Sequence, residues 1–230
     1  MNLLLNSFIE QLEQFPFALW SGLQINIIQT ILLFILIAGV GFWLFQKLKA
    51  GFWIGFVALI LFFGIRSYSF YEAASQKKLI VYNVPKYQAI DFINGRKYFF
   101  AGDLEIIEDP TLTNFYLRPS RIEQRVAPDN QLPGLKIHDN QFIFNNKKII
   151  IVDAPLINSD KSVSAKVDVV ILSGNPKLYI SDLIKQITPA QIVIDSSVPA
   201  WKAGYWKKDC DSLQIPCFDV SEKGAFVMNF

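Results

Sequence analysis

The residue types that most often bind metals or carry catalysis are scarce in this sequence. It has one histidine, His138, and two cysteines, Cys210 and Cys217. A zinc site needs three or four Cys or His ligands, so these residues are too few to build one. His138 lies between strand-like runs, where a solvated loop residue is expected. The two cysteines flank Pro216 and predict either a disulfide, if the domain faces an oxidising compartment, or two small buried side chains.

Carboxylates are the other group that could bind a metal ion. Four aspartates lie in or at the ends of predicted strands: Asp91, Asp103, Asp153 and Asp195. Carboxylates alone can bind a hydrated Mg²⁺ ion. An extracytoplasmic metal-dependent hydrolase or nuclease with such a site is therefore an alternative function.

A polar turn follows the predicted strand 167–172 and supplies the first candidate ligand-binding residues: Ser173, Asn175, Lys177 and Tyr179. A strand end leading into a helix start is a common ligand position, because the N–H groups of the first helical turn are free. An ordinary turn explains the same residues, with Asn175 as N-cap and Pro176 at the first helical position. Ser173 has no nearby histidine that could activate it.

The predicted helix 200–213 mixes aromatic and basic side chains: Trp201, Tyr205 and Trp206 with Lys202, Lys207 and Lys208. This combination suits stacking on single-stranded bases with contacts to the phosphate backbone, and it adds Trp201, Lys202 and Trp206 to the candidates. Trp201 and Tyr205 share one helical face, however. A stripe of that kind is more often part of the core, so we expect both rings to face inward.

Apolar segments fill the N-terminal third of the chain. Residues 25–45 contain no charge and, at 1.5 Å per residue, are long enough to cross a hydrocarbon core of about 30 Å. After a short loop, residues 50–68 form a second predicted span, so that 25–71 is a transmembrane hairpin. Residues 1–24 show helical spacing of apolar side chains. They predict an amphipathic helix at the membrane interface or one packed on protein.

The charges that flank the two spans predict their orientation. Lys47 and Lys49 lie in the short loop and favour the cytoplasm, which places the C-terminal domain on the other side of the membrane. Arg66, Lys77 and Lys78 follow the second span and oppose this prediction.

The C-terminal two thirds has the pattern of an α/β (α+β) domain. Predicted hairpins turn at Asn94-Gly95 and Asn145-Asn146, and strands then alternate with helices from residue 167 onward. This order predicts a mixed sheet flanked by helices, with the stretch 103–135 mostly loop. From Ala73 onward there are 19 Lys and Arg against 17 Asp and Glu, which gives no basic excess for gripping duplex DNA.

Several segments together resemble the C-terminal part of ComEC-type competence proteins, which move single-stranded DNA across the bacterial inner membrane. They are Tyr-Asn-Val-Pro-Lys-Tyr-Gln-Ala-Ile at 82–90, Ser-Gly-Asn-Pro-Lys-Leu-Tyr at 173–179, Pro-Ala-Trp-Lys at 199–202 and Lys-Gly-Ala-Phe-Val-Met at 223–228. The resemblance implies that residues 79–230 are a metallo-β-lactamase-like domain. Members of this family are several times longer, so the chain resembles a C-terminal fragment or one half of a split protein.

The resemblance also implies that the metal site is lost. The family's motif, Ser-His-x-His-x-Asp-His, falls on residues 173–179. Gly174, Pro176, Leu178 and Tyr179 stand where two histidines, an aspartate and a third histidine are expected. Without those ligands the domain cannot activate water as a binuclear hydrolase does. We therefore expect a degenerate fold with no catalytic residue, no metal and no cofactor.

The function predicted from the sequence is that of a non-catalytic part of a DNA-uptake channel for natural transformation. The domain would bind or guide single-stranded DNA or brace the channel. Its expected partners are the inner membrane, single-stranded DNA and the channel-forming helices of the same or a companion protein. Besides the hydrolase, a membrane-anchored scaffold that contacts only envelope proteins is an alternative.

Overall fold

The computed structural model describes residues 24–154 and 165–230. The predicted interfacial segment 1–24 lies outside the described residues except for Gln24. Contacts divide the chain into two compact units, with the boundary after Tyr68.

Two helices make up most of the described part of the first unit, and the second of them continues into the start of the second unit. Helix α1 covers Ile27–Gln46 and helix α2 covers Lys49–Ser75, with Lys47 in the left-handed conformation between them. Most of their large apolar side chains are exposed, and both are long and apolar enough to cross a membrane. The two helices coincide with the two apolar segments of the sequence, although α2 continues beyond residue 68.

Glycines bring the two helices together. A Cβ atom on Gly39 would lie 2.8 Å from the carbonyl oxygen of Gly51 and 2.8 Å from the backbone nitrogen of Gly55. Only a residue without a side chain allows this approach, which is a common device of helix pairs in membranes. The contact packs α1 directly against α2.

The second unit contains strands and short helices. The described strands are β1 Lys77–Val81, β2 Ala89–Asn94, β3 Lys97–Gly102, β4 Ala127–Pro128, β5 Leu135–His138, β6 Gln141–Phe144, β7 Lys147–Val152, β8 Ala165–Leu172, β9 Ile187–Ile194, β10 Cys217–Asp219 and β11 Phe226–Asn229. The described helices are α3 Leu104–Glu108, α4 Pro110–Leu112, a π-helix Thr113–Leu117, α5 Arg118–Glu123, α6 Ile180–Gln186, α7 Ala200–Ser212 and α8 Val220–Lys223.

The domain is α+β with mixed sheets, as predicted, but its strands form two sheets and not one. The first sheet has the order β11-β1-β2-β3-β4, and the second has the order β10-β9-β8-β7-β6-β5. The first sheet is antiparallel apart from the β3–β4 pair, and the second is parallel from β7 to β10. The first sheet contains the hairpin at Asn94-Gly95 and the last strand, β11, which returns to pair with β1; the hairpin at Asn145-Asn146 belongs to the second sheet.

Three buried clusters show how the layers pack. The first lies between the two sheets, where Phe92 of β2 stacks on Phe142 of β6 with ring centroids 5.0 Å apart. The second joins the outer face of the second sheet to α6 and α7. The third joins the outer face of the first sheet to the helical segment 104–123. The unit therefore has the layer order helix, sheet, sheet, helix.

The helical segment 104–123 corrects the prediction that residues 103–135 are mostly loop. Its helices are short and contain Pro110 and Pro119, so helical periodicity is hard to detect in the sequence. Ile106 and Leu117 are fully buried against the first sheet. Packing of these side chains holds turns that would not be stable alone.

Candidate functional site

Parallel strands bring several polar residues to one edge of the second sheet. Strands β7, β8 and β9 end at Val152, Leu172 and Ile194, which are in register. The residues that follow, Asp153 and Ser173 among them, therefore lie at the carboxyl edge. Ligands of open α/β sheets bind at this edge.

A hydrogen-bonded group at this edge, the strand-end cluster, consists of Gln88, Ser173, Asp195 and Ser197. Ser173 Oγ donates to Gln88 Oε1 over 2.9 Å and lies 3.1 Å from Ser197 Oγ. The backbone N–H and the hydroxyl of Ser197 both donate to Asp195 Oδ1. In the described part of the chain Asp195 Oδ2 is buried and has no hydrogen-bond partner. One oxygen of this carboxyl is satisfied and the other is not.

Asp195 is fully buried, and its carboxyl therefore titrates abnormally. Burial raises the pKa of Asp195 to about 6; the nearby Ser173 hydroxyl and the hydrogen bonds from Ser197 oppose the shift, and the charge of Asp103 adds to it. An ionised carboxylate is costly where water cannot reach it. The cluster can thus take up a proton near neutral pH.

Loops of the first sheet complete this region. Asp103 Oδ2 accepts a hydrogen bond of 2.8 Å from the backbone N–H of Gln88. Ser196 Oγ donates to the Val84 carbonyl over 2.7 Å, and the Lys86 N–H donates to the Ser196 carbonyl over 3.1 Å. The two sheets are therefore joined through polar contacts at the strand-end cluster.

The turn 173–179 is held by two side chains of α7. Lys202, only 8% exposed, donates from Nζ to Asn175 Oδ1 over 2.7 Å and also to the Pro176 carbonyl. Trp206 Nε1 donates to the Leu178 carbonyl over 3.1 Å. Both residues were candidates for ligand contact. Their polar atoms instead form hydrogen bonds within the domain.

Trp201 and Tyr205, the aromatic pair, lie on the opposite face of α7. They are 62% and 63% exposed, and their ring centroids are 6.2 Å apart in an edge-on arrangement. The expectation that these rings face the core is wrong. The buried face of α7 instead carries Lys202, Ala203, Trp206 and Cys210.

The lysines near the aromatic pair differ in their surroundings. Lys207 contacts Asp219 Oδ2 at 3.0 Å and also contacts Glu222, so its charge is neutralised within the domain. Lys208, three residues after Tyr205, is exposed. The candidates Asn175, Lys177 and Tyr179 are exposed, whereas Ser173 is buried.

The four aspartates of the alternative metal site do not come together. Among the described residues there is no group of three or more His, Cys, Asp or Glu side chains that could hold a metal ion. Asp153 is exposed and accepts a hydrogen bond from Asn140 over 2.8 Å. Only Asp103 and Asp195 interact.

Asp91 belongs to a separate buried group beneath α5. The Arg121 guanidinium binds both its oxygens at 2.9 Å, and the Tyr82 hydroxyl donates to Oδ2 over 2.9 Å. Burial, and then the charge of Asp91, raises the pKa of Tyr82 well above its usual range. Arg121 also lies over the Tyr98 ring, 4.1 Å from its centroid. These contacts occupy Asp91, and they attach α5 to the first sheet.

Sequence reasoning missed Gln88, Ser197 and Arg121. The contact of Ser197 with Asp195 could have been predicted, because an aspartate side chain often accepts a hydrogen bond from the backbone N–H two residues later and so forms a turn. Gln88 and Arg121 carry no local signal, since their partners Ser173 and Asp91 are 85 and 30 residues away in the chain.

Cys210 and Cys217 are free cysteines in this structure. Cys210 is fully buried near the end of α7, and Cys217 is half-buried at the start of β10. Both belong to the cluster between the second sheet and its helices.

Comparison with known families gives one result. A family model described as the ComEC C-terminal domain matches residues 79–230, which is more than half of the chain. No curated protein and no solved structure matches the sequence.

Proposed function

The chain belongs to the ComEC family through its C-terminal domain, and from this premise we propose that the domain binds and guides single-stranded DNA without cutting it. Membership of this family indicates a part in competence DNA uptake. The exposed aromatic pair on α7 is the main support for binding of single-stranded DNA. The two apolar helices would anchor the domain in the bacterial inner membrane.

The layer order of the second unit supports a degenerate metallo-β-lactamase-like fold. Two sheets face each other and helices cover both outer faces. The turn 173–179, where the family resemblance would put metal ligands, is instead held by hydrogen bonds from Lys202 and Trp206. Protein donors stabilise that turn. This supports a non-catalytic role.

Exposure of the aromatic pair favours a stacking ligand. Leaving two large rings more than half exposed forgoes the burial that would stabilise the fold, and exposed aromatic side chains often mark binding sites. Each base stacked on an aromatic side chain contributes about 1–3 kcal/mol. The bases of single-stranded DNA are free to stack, whereas those of a duplex are already stacked on each other.

The charge of this region supports weak phosphate contact. Lys208 lies on the same face of α7 as the aromatic pair, seven residues after Trp201, and Lys177 lies in the turn that α7 holds. One or two phosphate contacts give a shallow salt dependence, with a slope of about −0.7 per contact for single strands. We expect binding dominated by stacking and only weakly reduced by salt.

Binding of a labelled oligothymidine by the full chain in detergent micelles tests the proposal, with fluorescence anisotropy as the measurement. Replacing both Trp201 and Tyr205 with alanine should weaken binding at least about tenfold, from the loss of two stacking contacts. Phe115→Ala is the matched control, because Phe115 is also an exposed aromatic residue but belongs to the helical segment over the other sheet. Equal effects of the two changes, or no binding by the unchanged chain, would contradict the proposal; the second result would favour the envelope scaffold.

We also propose an orientation of the two helices in the membrane, based on the charges in the loop between them. Lys47 and Lys49 in the short loop favour the cytoplasmic side, which puts the C-terminal domain outside the cytoplasm. Alkaline phosphatase fused after Phe230 should then be active in a bacterial host. An inactive phosphatase together with a fluorescent cytoplasmic reporter at the same position would reverse the orientation.

A further inference from the structure

The turn between α7 and β10 brings two thiols together. The Ile215 N–H donates to the Cys210 carbonyl over 2.9 Å, and the Pro216 carbonyl accepts from the Ile192 N–H of β9 over 2.9 Å. These bonds close the turn 210–217 and fix it to the second sheet. Both side chains pack in the cluster between the second sheet and its helices, Cys210 as a buried member and Cys217 as a half-buried one.

The two thiols are not equivalent. Cys210 is fully buried, whereas Cys217 is only half-buried. The hydrogen bond from Cys210 lowers the pKa of the Cys217 thiol and raises that of Cys210. The less buried cysteine is therefore also the one whose thiol ionises first, which is the property of an attacking thiol.

We propose that Cys210 and Cys217 form a reversible dithiol–disulfide pair that exchanges with an external disulfide, with Cys217 as the attacking and Cys210 as the resolving thiol. The Cys217 thiolate attacks one sulfur of the external disulfide, whose S–S bond breaks and releases a thiolate. Cys210 gives up its proton and attacks the Cys217 sulfur of the mixed disulfide, which releases the second thiolate. The protein loses two electrons and two protons, and the external disulfide is reduced to two thiols.

Oxidation would fix the end of α7 to the edge strand β10. Trp201 and Tyr205 lie on the same helix, so the bond would restrain the element that carries the aromatic pair. The two cysteines lie in the turn and in the buried cluster whether or not the domain binds DNA.

The experiment equilibrates the full chain in detergent micelles with buffers of reduced and oxidised glutathione, followed by acid quenching and mass spectrometry. The unchanged protein should lose two hydrogens as the oxidised fraction rises, without a lasting glutathione adduct. Its thermal midpoint should rise by about 5–10 °C, as expected for a short closed loop.

Two single variants distinguish the roles of the thiols. Cys210→Ala should accumulate a mixed disulfide between Cys217 and glutathione, because the resolving thiol is gone. Cys217→Ala should form much less adduct, since Cys210 is buried. Equal adduct formation by the two variants would overturn the assigned order. Two free thiols in the unchanged protein at every glutathione ratio would overturn the pair.

Discussion

Replacing Asp195 with asparagine should remove a pH dependence of folding stability. The buried carboxyl changes its pKa from 3.8 to about 6 on folding, so the folded state holds a proton that the unfolded state releases between these values. Stability from this group is therefore complete below about pH 4 and is lost as the pH rises toward 6. At pH 7 the loss amounts to about 3 kcal/mol, at 1.36 kcal/mol for each pH unit.

The variant keeps the shape of the side chain and removes its charge. Asparagine can still accept both hydrogen bonds from Ser197 through its carbonyl oxygen. Its amide group, in the place of Oδ2, adds a cost that does not change with pH. The difference in free energy of unfolding between variant and unchanged protein should thus favour the variant by about 2 kcal/mol more at pH 7.5 than at pH 4.5.

Urea titration of the full chain in detergent micelles measures this difference, with tryptophan fluorescence as the signal. Asp153→Asn is the matched control, because Asp153 is an exposed carboxyl at the same edge of the sheet. The control should change the free energy of unfolding by less than about 0.5 kcal/mol at either pH. A difference between Asp195→Asn and the unchanged protein that is the same at both pH values would refute the reasoning.

Three further changes test other contacts. Arg121→Met leaves the Asp91 carboxylate buried without its cation and should lower the free energy of unfolding by about 3–5 kcal/mol in the same titration. Gly39→Leu puts a side chain against the backbone of Gly51 and should lower the thermal midpoint in detergent, at a cost of about 1–3 kcal/mol. Lys202→Met removes both hydrogen bonds to the turn 173–179 and should speed amide hydrogen exchange there, with unchanged exchange elsewhere in the second sheet.

Local patterns predicted the strands well. Strands β6 and β7 meet at the predicted hairpin turn, because Asn145 and Asn146 both adopt the positive φ that such a turn requires. The helices of segment 104–123 were missed. They owe their stability to Ile106 and Leu117 packing on a sheet, which no window of sequence contains.

The candidate site could be predicted only in part. The turn after β8 lies at the expected strand end, but spacing on α7 could not say which of two aromatic faces is buried. The buried face is fixed by two hydrogen bonds, which Lys202 and Trp206 donate to the carbonyls of Pro176 and Leu178 in a turn more than 20 residues earlier. The pairing of Asp91 with Arg121 likewise depends on α5 crossing the first sheet.

The pairing of β1 with β11 has a consequence for synthesis. Val81 pairs with Phe226 and Lys78 with Asn229. During synthesis, β1 can therefore pair with β11 only after about 145 further residues have been added to the chain. At roughly 5–20 residues per second, the ribosome needs about 7–30 s to supply it. During that interval β1 has one unpaired edge, which invites pairing with other nascent chains. Lys77 and Lys78 at the start of β1 place two like charges on this edge, and their repulsion between chains would protect it until β11 arrives.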